Sequence, residues 1–236
     1  MRPEPSQSPL TAEEAADLVS DFRARLPTLT VRAATLRVHE TLDALLARTL
    51  GDRRPACEAG CAACCHQPLL VGFLELALVW FSDEARFRSS AFVRRVESEV
   101  EYLARLRRQG LAQPAELAAR QFSDTRPCLF LGAGGQCTIH AVRPVQCRNA
   151  FSWTRCTSAQ LGVFGYGDLA VLGRRLRADV HAHFGLARFD PPPAPGRAAI
   201  RTATATFYLP EGLMFMRERM DLDGLRPLFA PPDHGA

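Results

Sequence analysis

The cysteines constrain this chain more than any other feature, because they fall in two bunches and nowhere else. Cys57, Cys61, Cys64 and Cys65 lie within nine residues, and Cys128, Cys137, Cys147 and Cys156 lie within 29. Structural cysteines behave as small buried hydrophobes and have no reason to bunch. Chelation does require bunching, since several ligands must reach one point with little backbone, and thiolates bind zinc and the irons of Fe–S clusters well. All eight are therefore candidate metal ligands. The fold is expected to bring residues near 60 and residues near 140 to one site, or to two touching sites.

Whether such thiols bind metal or pair as disulfides depends on the compartment. The N-terminal run MRPEPSQSPLTAEEAADL has no apolar core of a signal peptide. The longest apolar stretch, Pro68 to Phe81, is short and carries Glu75, whereas a membrane-spanning helix needs ~20 apolar residues. A cytoplasmic, non-membrane setting is expected, where thiols stay reduced. The hydrophobic share of 47% is ample for a globular core, and the formal charge of +4 over 236 residues is too small to point to a nucleic-acid partner.

Outside the cysteine groups the sequence reads as helical. Residues 1–10 are expected to form a disordered tail, 11–222 a helical domain with its metal-binding core at 57–156, and 223–236 a C-terminal tail. Thr11 and Glu14 have the spacing of a capping box for a helix reaching about Arg25. A second helix is expected from Val31 to Leu50, ended by Gly51. Others are expected over Phe73–Arg88, Ala91–Gln109, Pro114–Phe122, Leu169–Phe184 and near Leu213–Met220. Leu129–Leu131 and Cys137–Ile139 flank a glycine-rich turn and suggest a short β-hairpin. A short strand is expected near Phe207–Leu209. The fold class is mainly α: a single domain of about six helices around an irregular cysteine-rich core.

The adjacent pair Cys64–Cys65 narrows the chemistry. Neighbouring side chains point in different directions, so two successive cysteines serve one tetrahedral ion poorly. They are better divided between two centres, or between the ends of one polynuclear centre. Eight thiols would suit two four-coordinate sites, and six would suit a dinuclear centre with shared sulfurs. His66 and His140, beside the two groups, are candidate substitutes. Cys57-x3-Cys61-x2-Cys64 also has the three-cysteine spacing of radical S-adenosylmethionine enzymes, but the 60 residues that follow lack the strand–helix alternation of their barrel. Gly162, Gly165 and Gly167 do not form a phosphate loop, since no Lys-Ser/Thr follows.

The joint pattern, C-EAG-C-AA-CC, then Glu75, then C-LFLGAGG-Q-C-TIHAVRP-VQ-CR, resembles the YkgJ-type cysteine-cluster proteins of the CxxCxxCC type. These are described as zinc- or iron-chelating domains and in some cases as Fe–S oxidoreductases. The resemblance covers Cys57 to Phe151 and rests on Cys57, Cys61, Cys64, Cys65, Glu75, Cys128, Cys137, Arg143, Pro144, Cys147 and Arg148. His140 departs from it, standing where the family commonly has an aromatic residue, and Cys156 lies beyond it. Flagellin lysine-N-methylases have similar cysteine motifs in longer chains. The resemblance implies bound zinc or iron, the latter as an Fe–S cluster in one version. It leaves open a redox or group-transfer (protein-modifying) enzyme, a zinc-stabilised interaction module and a metal carrier or sensor.

Three residues that do not bind metal themselves are expected to support the centre. Arg143 and Arg148 flank Cys147, and a guanidinium beside thiolates offsets their charge and can donate to sulfur. Glu75 lies in an apolar helix, where an unpaired carboxylate would be costly. It is expected to pair with one of these arginines or to cap its own helix. No catalytic residue is identifiable from the sequence.

Overall fold

The computed structural model describes residues 10–57, 61–111, 113–153, 156, 167–191, 201–203 and 205–231. Residues 1–9 of the expected N-terminal tail and two of the three glycines, Gly162 and Gly165, lie outside the described residues, as does residue 155 before Cys156, while Leu10, the last residue of that expected tail, is buried in the core. Among the described residues there are ten α-helices and one two-stranded sheet.

Helix α1 (Ala12–Arg25) opens on the expected capping box: Glu14 N donates to Thr11 Oγ1 at 3.1 Å and Thr11 N donates to Glu14 Oε2 at 2.8 Å. Helix α2 (Val31–Leu50) is capped by Thr30, whose hydroxyl accepts from Ala33 N, and ends at Gly51, where φ is +54°. Strand β1 (Leu70–Gly72) leads directly into α3 (Phe73–Ser82), and every residue from Phe73 to Phe81 is buried. The apolar run is thus the central core helix. No helix among the described residues is long and apolar enough to cross a membrane.

The single helix expected over Phe73–Arg88 is broken. Ser82 Oγ donates to the Val79 carbonyl, and Asp83 Oδ1 accepts from Arg86 N to start α4 (Glu84–Arg88). Short polar side chains that bond to the local backbone compete with helix continuation. Helices α5 (Ser90–Arg108) and α6 (Pro114–Ser123) form an outer layer with a small core of Tyr102, Leu103, Leu106 and Leu117. Helix α7 (Val145–Arg148) is a single turn carrying Cys147. Helices α8 (Gly167–His183), α9 (Leu209–Arg219) and α10 (Leu222–Phe229) complete the set.

The main core lies where α3 packs against α2, α9 and α10, with α8 packed on α2 and reaching α3 through Arg177 and His181. Gly212 of α9 allows the closest approach, since a Cβ there would stand 2.6 Å from Leu76 Cδ1. Two segments depart from the sequence reading. The region expected to trail off from residue 223 is mostly α10, whose Leu225 and Phe229 are fully buried. Phe229 stacks on Phe81 and meets Phe73 edge-on. The sheet also joins distant segments: β1 pairs antiparallel with β2 (Thr206–Tyr208), Val71 opposite Phe207. At the glycine-rich turn there is one isolated bridge, Leu131 to Cys137. Its flanks are three residues each, and Phe130 and Ile139 are drawn into the core instead of extending a ladder.

Candidate metal centre

The two cysteine groups meet through their backbones. Cys64 and Cys65 lie on a 3-10 turn spanning Ala63–His66. Cys128 N donates to the Cys65 carbonyl at 2.6 Å, which joins the first group to the second. Cys128 opens the turn that leads to Cys137, closed by Thr138 N to the Phe130 carbonyl at 2.8 Å and Gly132 N to the Gln136 carbonyl at 2.9 Å. Cys147 comes in on α7. At the other end of the first group, Ala56 N donates to the Ser152 carbonyl at 2.7 Å, and Ser152 N donates to Cys57 Sγ at 3.2 Å. That contact ties Cys57 to the segment that continues to Cys156.

All eight cysteines are free thiols. Cys57, Cys61 and Cys64 are exposed, while Cys65, Cys128, Cys137, Cys147 and Cys156 are half-buried. Their ionisation reflects both crowding and burial. A hydrogen bond between the neighbouring sulfurs lowers the Cys64 thiol and raises that of Cys65; Arg143 adds to the lowering, and Cys128 and Cys147 add to the raising. Burial pushes Cys128 up to about 11 and raises Cys147 strongly. Cys57 is raised by burial, with Cys61, Cys64 and Cys156 adding to the effect. Among the described residues no three His, Cys, Asp or Glu side chains already converge as a finished ligand set. The donor chemistry nonetheless fits a thiophilic ion. Eight sulfurs outside any disulfide share one region, and thiolates at such a locus are the donors that zinc and iron prefer.

The groups beneath the cysteines hold α7 in place. Glu75, 3% exposed, accepts from Val145 N at 2.7 Å and from Gly72 N at 3.0 Å. One carboxylate oxygen thus caps its own helix while the other grips the first residue of the helix bearing Cys147. Its ionic partner is Arg177 of α8, at 3.7 Å. Arg148 turns away from the sulfurs. It donates to the carbonyls of Arg143 (2.9 Å) and Ala141 (2.5 Å) and to Asp43 of α2 (2.6 Å), binding the turn before α7 to α2. Arg143 is the guanidinium whose charge reaches Cys64 and Cys147, and its buried Nε has no hydrogen-bond partner. His66 Nδ1 lies 3.1 Å from the Ala62 carbonyl within its own turn. His140 is exposed, and the nearby charge of Arg143 lowers its pKa.

Two supporting residues escape a reading of the cysteine motif. Arg177 lies one turn after Gly173 on the face of α8 that packs against α2. A charged residue on that apolar face was the available signal for a buried ion pair. His39 of α2 is 1% exposed, and neither ring nitrogen has a hydrogen-bond partner. It lies four residues after buried Thr35 and three before buried Leu42.

The two cysteine groups are thus brought together on a helical scaffold braced by a buried carboxylate. The model of the CxxCxxCC family, described as "Putative zinc- or iron-chelating domain", matches residues 56–162. No curated protein and no solved structure matches the chain.

Proposed function

We propose that this protein binds zinc or iron through a polythiolate centre built from both cysteine groups, with Cys57, Cys61, Cys64, Cys65, Cys128, Cys137, Cys147 and Cys156 as the ligand pool. The observation that carries this reading is the bond from Cys128 N to the Cys65 carbonyl, which makes the two groups one locus. A bound ion would cross-link the turn after α2 to the turn before α7, and binding energy available only to the folded chain is folding energy. Arg143 offsets thiolate charge, and Glu75 sets where Cys147 is presented. Exposure of Cys57, Cys61 and Cys64 favours a second component of this reading, exchange of metal with solution, as in a carrier or sensor, over a fully closed structural site.

The test is purification without oxygen, followed by metal and sulfide analysis and an absorption spectrum. Zinc in a colourless protein, or iron with sulfide in a brown one, is the expected result, with loss of metal in Cys65→Ser and Cys147→Ser. A chain that takes up neither ion after anaerobic reconstitution, or serine variants with full metal content, would overturn the proposal.

A further inference from the structure

We propose that the cleft between the entry to β1, α5, α6 and the turn at Cys128 is a binding site for a neutral amide carrying an aliphatic side chain, the chemistry of an extended apolar peptide segment. This goes beyond metal binding and does not depend on it. The cleft measures about 380 Å3 with its open mouth included, a size at the lower end of small-ligand sites. Its apolar walls come from four parts of the chain: Pro68 and Leu69 before β1, Leu103 of α5, Leu129 after Cys128, and Leu209 and Pro210 at the start of α9. Leu209 N donates to the Leu69 carbonyl at 2.8 Å, which fixes two of these walls against each other.

The polar groups name the ligand, by elimination and by complement. Among the described residues lining the cleft, Glu99 alone is charged, and its charge is answered. It accepts from Arg126 Nη2 at 2.6 Å and from Arg126 Nε at 3.2 Å, and that guanidinium is further held 4.5 Å from the centre of the Tyr102 ring. Beside the cleft, Arg107 lies 5.2 Å from the centre of the Tyr208 ring and is paired with Glu211. Neither an anion nor an ammonium group thus finds an unpaired counter-charge at these positions. Gln121 of α6 is the group left over. It is 8% exposed, its Nε2 reaches the Arg126 carbonyl only at 3.4 Å, and its Oε1 accepts no hydrogen bond from the described residues. A carboxamide buried this far with an open acceptor costs free energy unless a ligand or a water completes it. One acceptor beside one spare N–H is the complement of an amide, which offers the same pair reversed. The cleft ends at Cys128, whose N–H joins the two cysteine groups, so an occupant would lie against the candidate metal centre.

The experiment records proton–nitrogen correlation spectra of the full, zinc-loaded chain while N-acetyl-leucinamide is added. The titration is repeated with isobutyrate and with isobutylammonium, which keep the aliphatic part but carry a charge. Saturable shifts at Leu69, Leu103, Gln121 and Leu129 are expected, with an affinity on the order of 1 mM for a ligand of this size. Both charged probes should bind at least tenfold more weakly, a comparison made on the unaltered protein. Gln121→Leu keeps the apolar volume and removes the amide; it should weaken N-acetyl-leucinamide at least tenfold with helical circular dichroism and zinc content unchanged. Absent or unsaturable shifts, equal binding of the charged probes, or a Gln121→Leu variant that binds as tightly as the parent would overturn the assignment while leaving metal binding intact. A chain that holds no zinc yet shows the saturable shifts would overturn the metal reading and uphold this one.

Discussion

Acid should weaken this protein through His39, by an amount that follows from the residue's burial. The imidazole is 1% exposed, both nitrogens lack partners, and Arg148 and Arg177 lie near enough to oppose a positive charge. Burial first, and then those two arginines, lower its pKa from 6.5 to about 3. In the unfolded chain the ring regains the ordinary value. Between these limits the unfolded state binds more protons than the folded one, so stability falls as the pH drops below 6.5 and the contribution is complete above it. At pH 5 the unfolded ring is protonated by about thirtyfold over its neutral form while the folded ring stays neutral, which removes about 2 kcal/mol relative to pH 8.

His39→Leu should abolish that loss. At pH 8 the variant should be as stable as the parent or up to ~1 kcal/mol more so, because two orphan nitrogens leave the core. Urea unfolding followed by helical circular dichroism, at pH 8 and pH 5 with equal metal loading, measures both quantities. Protonation of thiols and loss of metal at low pH affect parent and variant alike, so the difference between them isolates the ring. Equal acid sensitivity in the two proteins would refute the reasoning. So would a loss of more than ~2 kcal/mol in the variant at pH 8, which would mean that the ring makes a bond worth keeping.

Three further substitutions test the framework. Glu75→Gln retains one acceptor but turns an amide towards a backbone N–H; it should cost about 2 kcal/mol in urea unfolding and weaken metal binding through Cys147. Arg143→Gln should leave the helical content unchanged and shift metal affinity by ~10–100-fold, measured by chelator competition. Phe229→Ala should cost ~3–5 kcal/mol, since it removes a fully buried ring from the contact with Phe73 and Phe81; a variant unchanged in urea midpoint would mean that α10 is not part of the core.

The sequence carried those features whose cause is local. The Thr11–Glu14 box, the Thr30 cap and the Gly51 stop depend on residues within a turn of one another, and the corresponding helix ends fall where those residues put them. The bunching of the cysteines is likewise a local signal, and it located the candidate centre. Features decided by distant partners were not legible. Nothing in residues 70–72 names residues 206–208 as their strand partner. Glu75 was open to pairing with Arg143 or Arg148, yet its ionic contact comes from Arg177, which no motif marks. The break at Ser82–Asp83 was hidden by the continuous apolar pattern on either side. Helix α10 was hidden by Pro227 and Gly224, although Leu225 and Phe229, four residues apart, had the spacing of one apolar face.

The cysteine-bearing segment packs on helices from outside it. Helix α3 lies within residues 56–162, but its neighbours α2, α9 and α10 lie outside them. The same holds for the groups that fix Cys147: Arg177 steadies Glu75 from α8, Asp43 holds Arg148 from α2, and β1 is paired by β2. Metal binding and folding of the flanks are therefore linked, because an ion that binds only the folded centre also stabilises the helices that shape it. A fragment limited to residues 56–162 would leave the face of Phe73–Phe81 uncovered and Glu75 without its ionic partner. It should bind Zn2+ at least tenfold more weakly than the full chain in chelator competition and lack cooperative unfolding. Equal affinity would show that the cysteines alone define the centre and that the flanking helices serve another purpose.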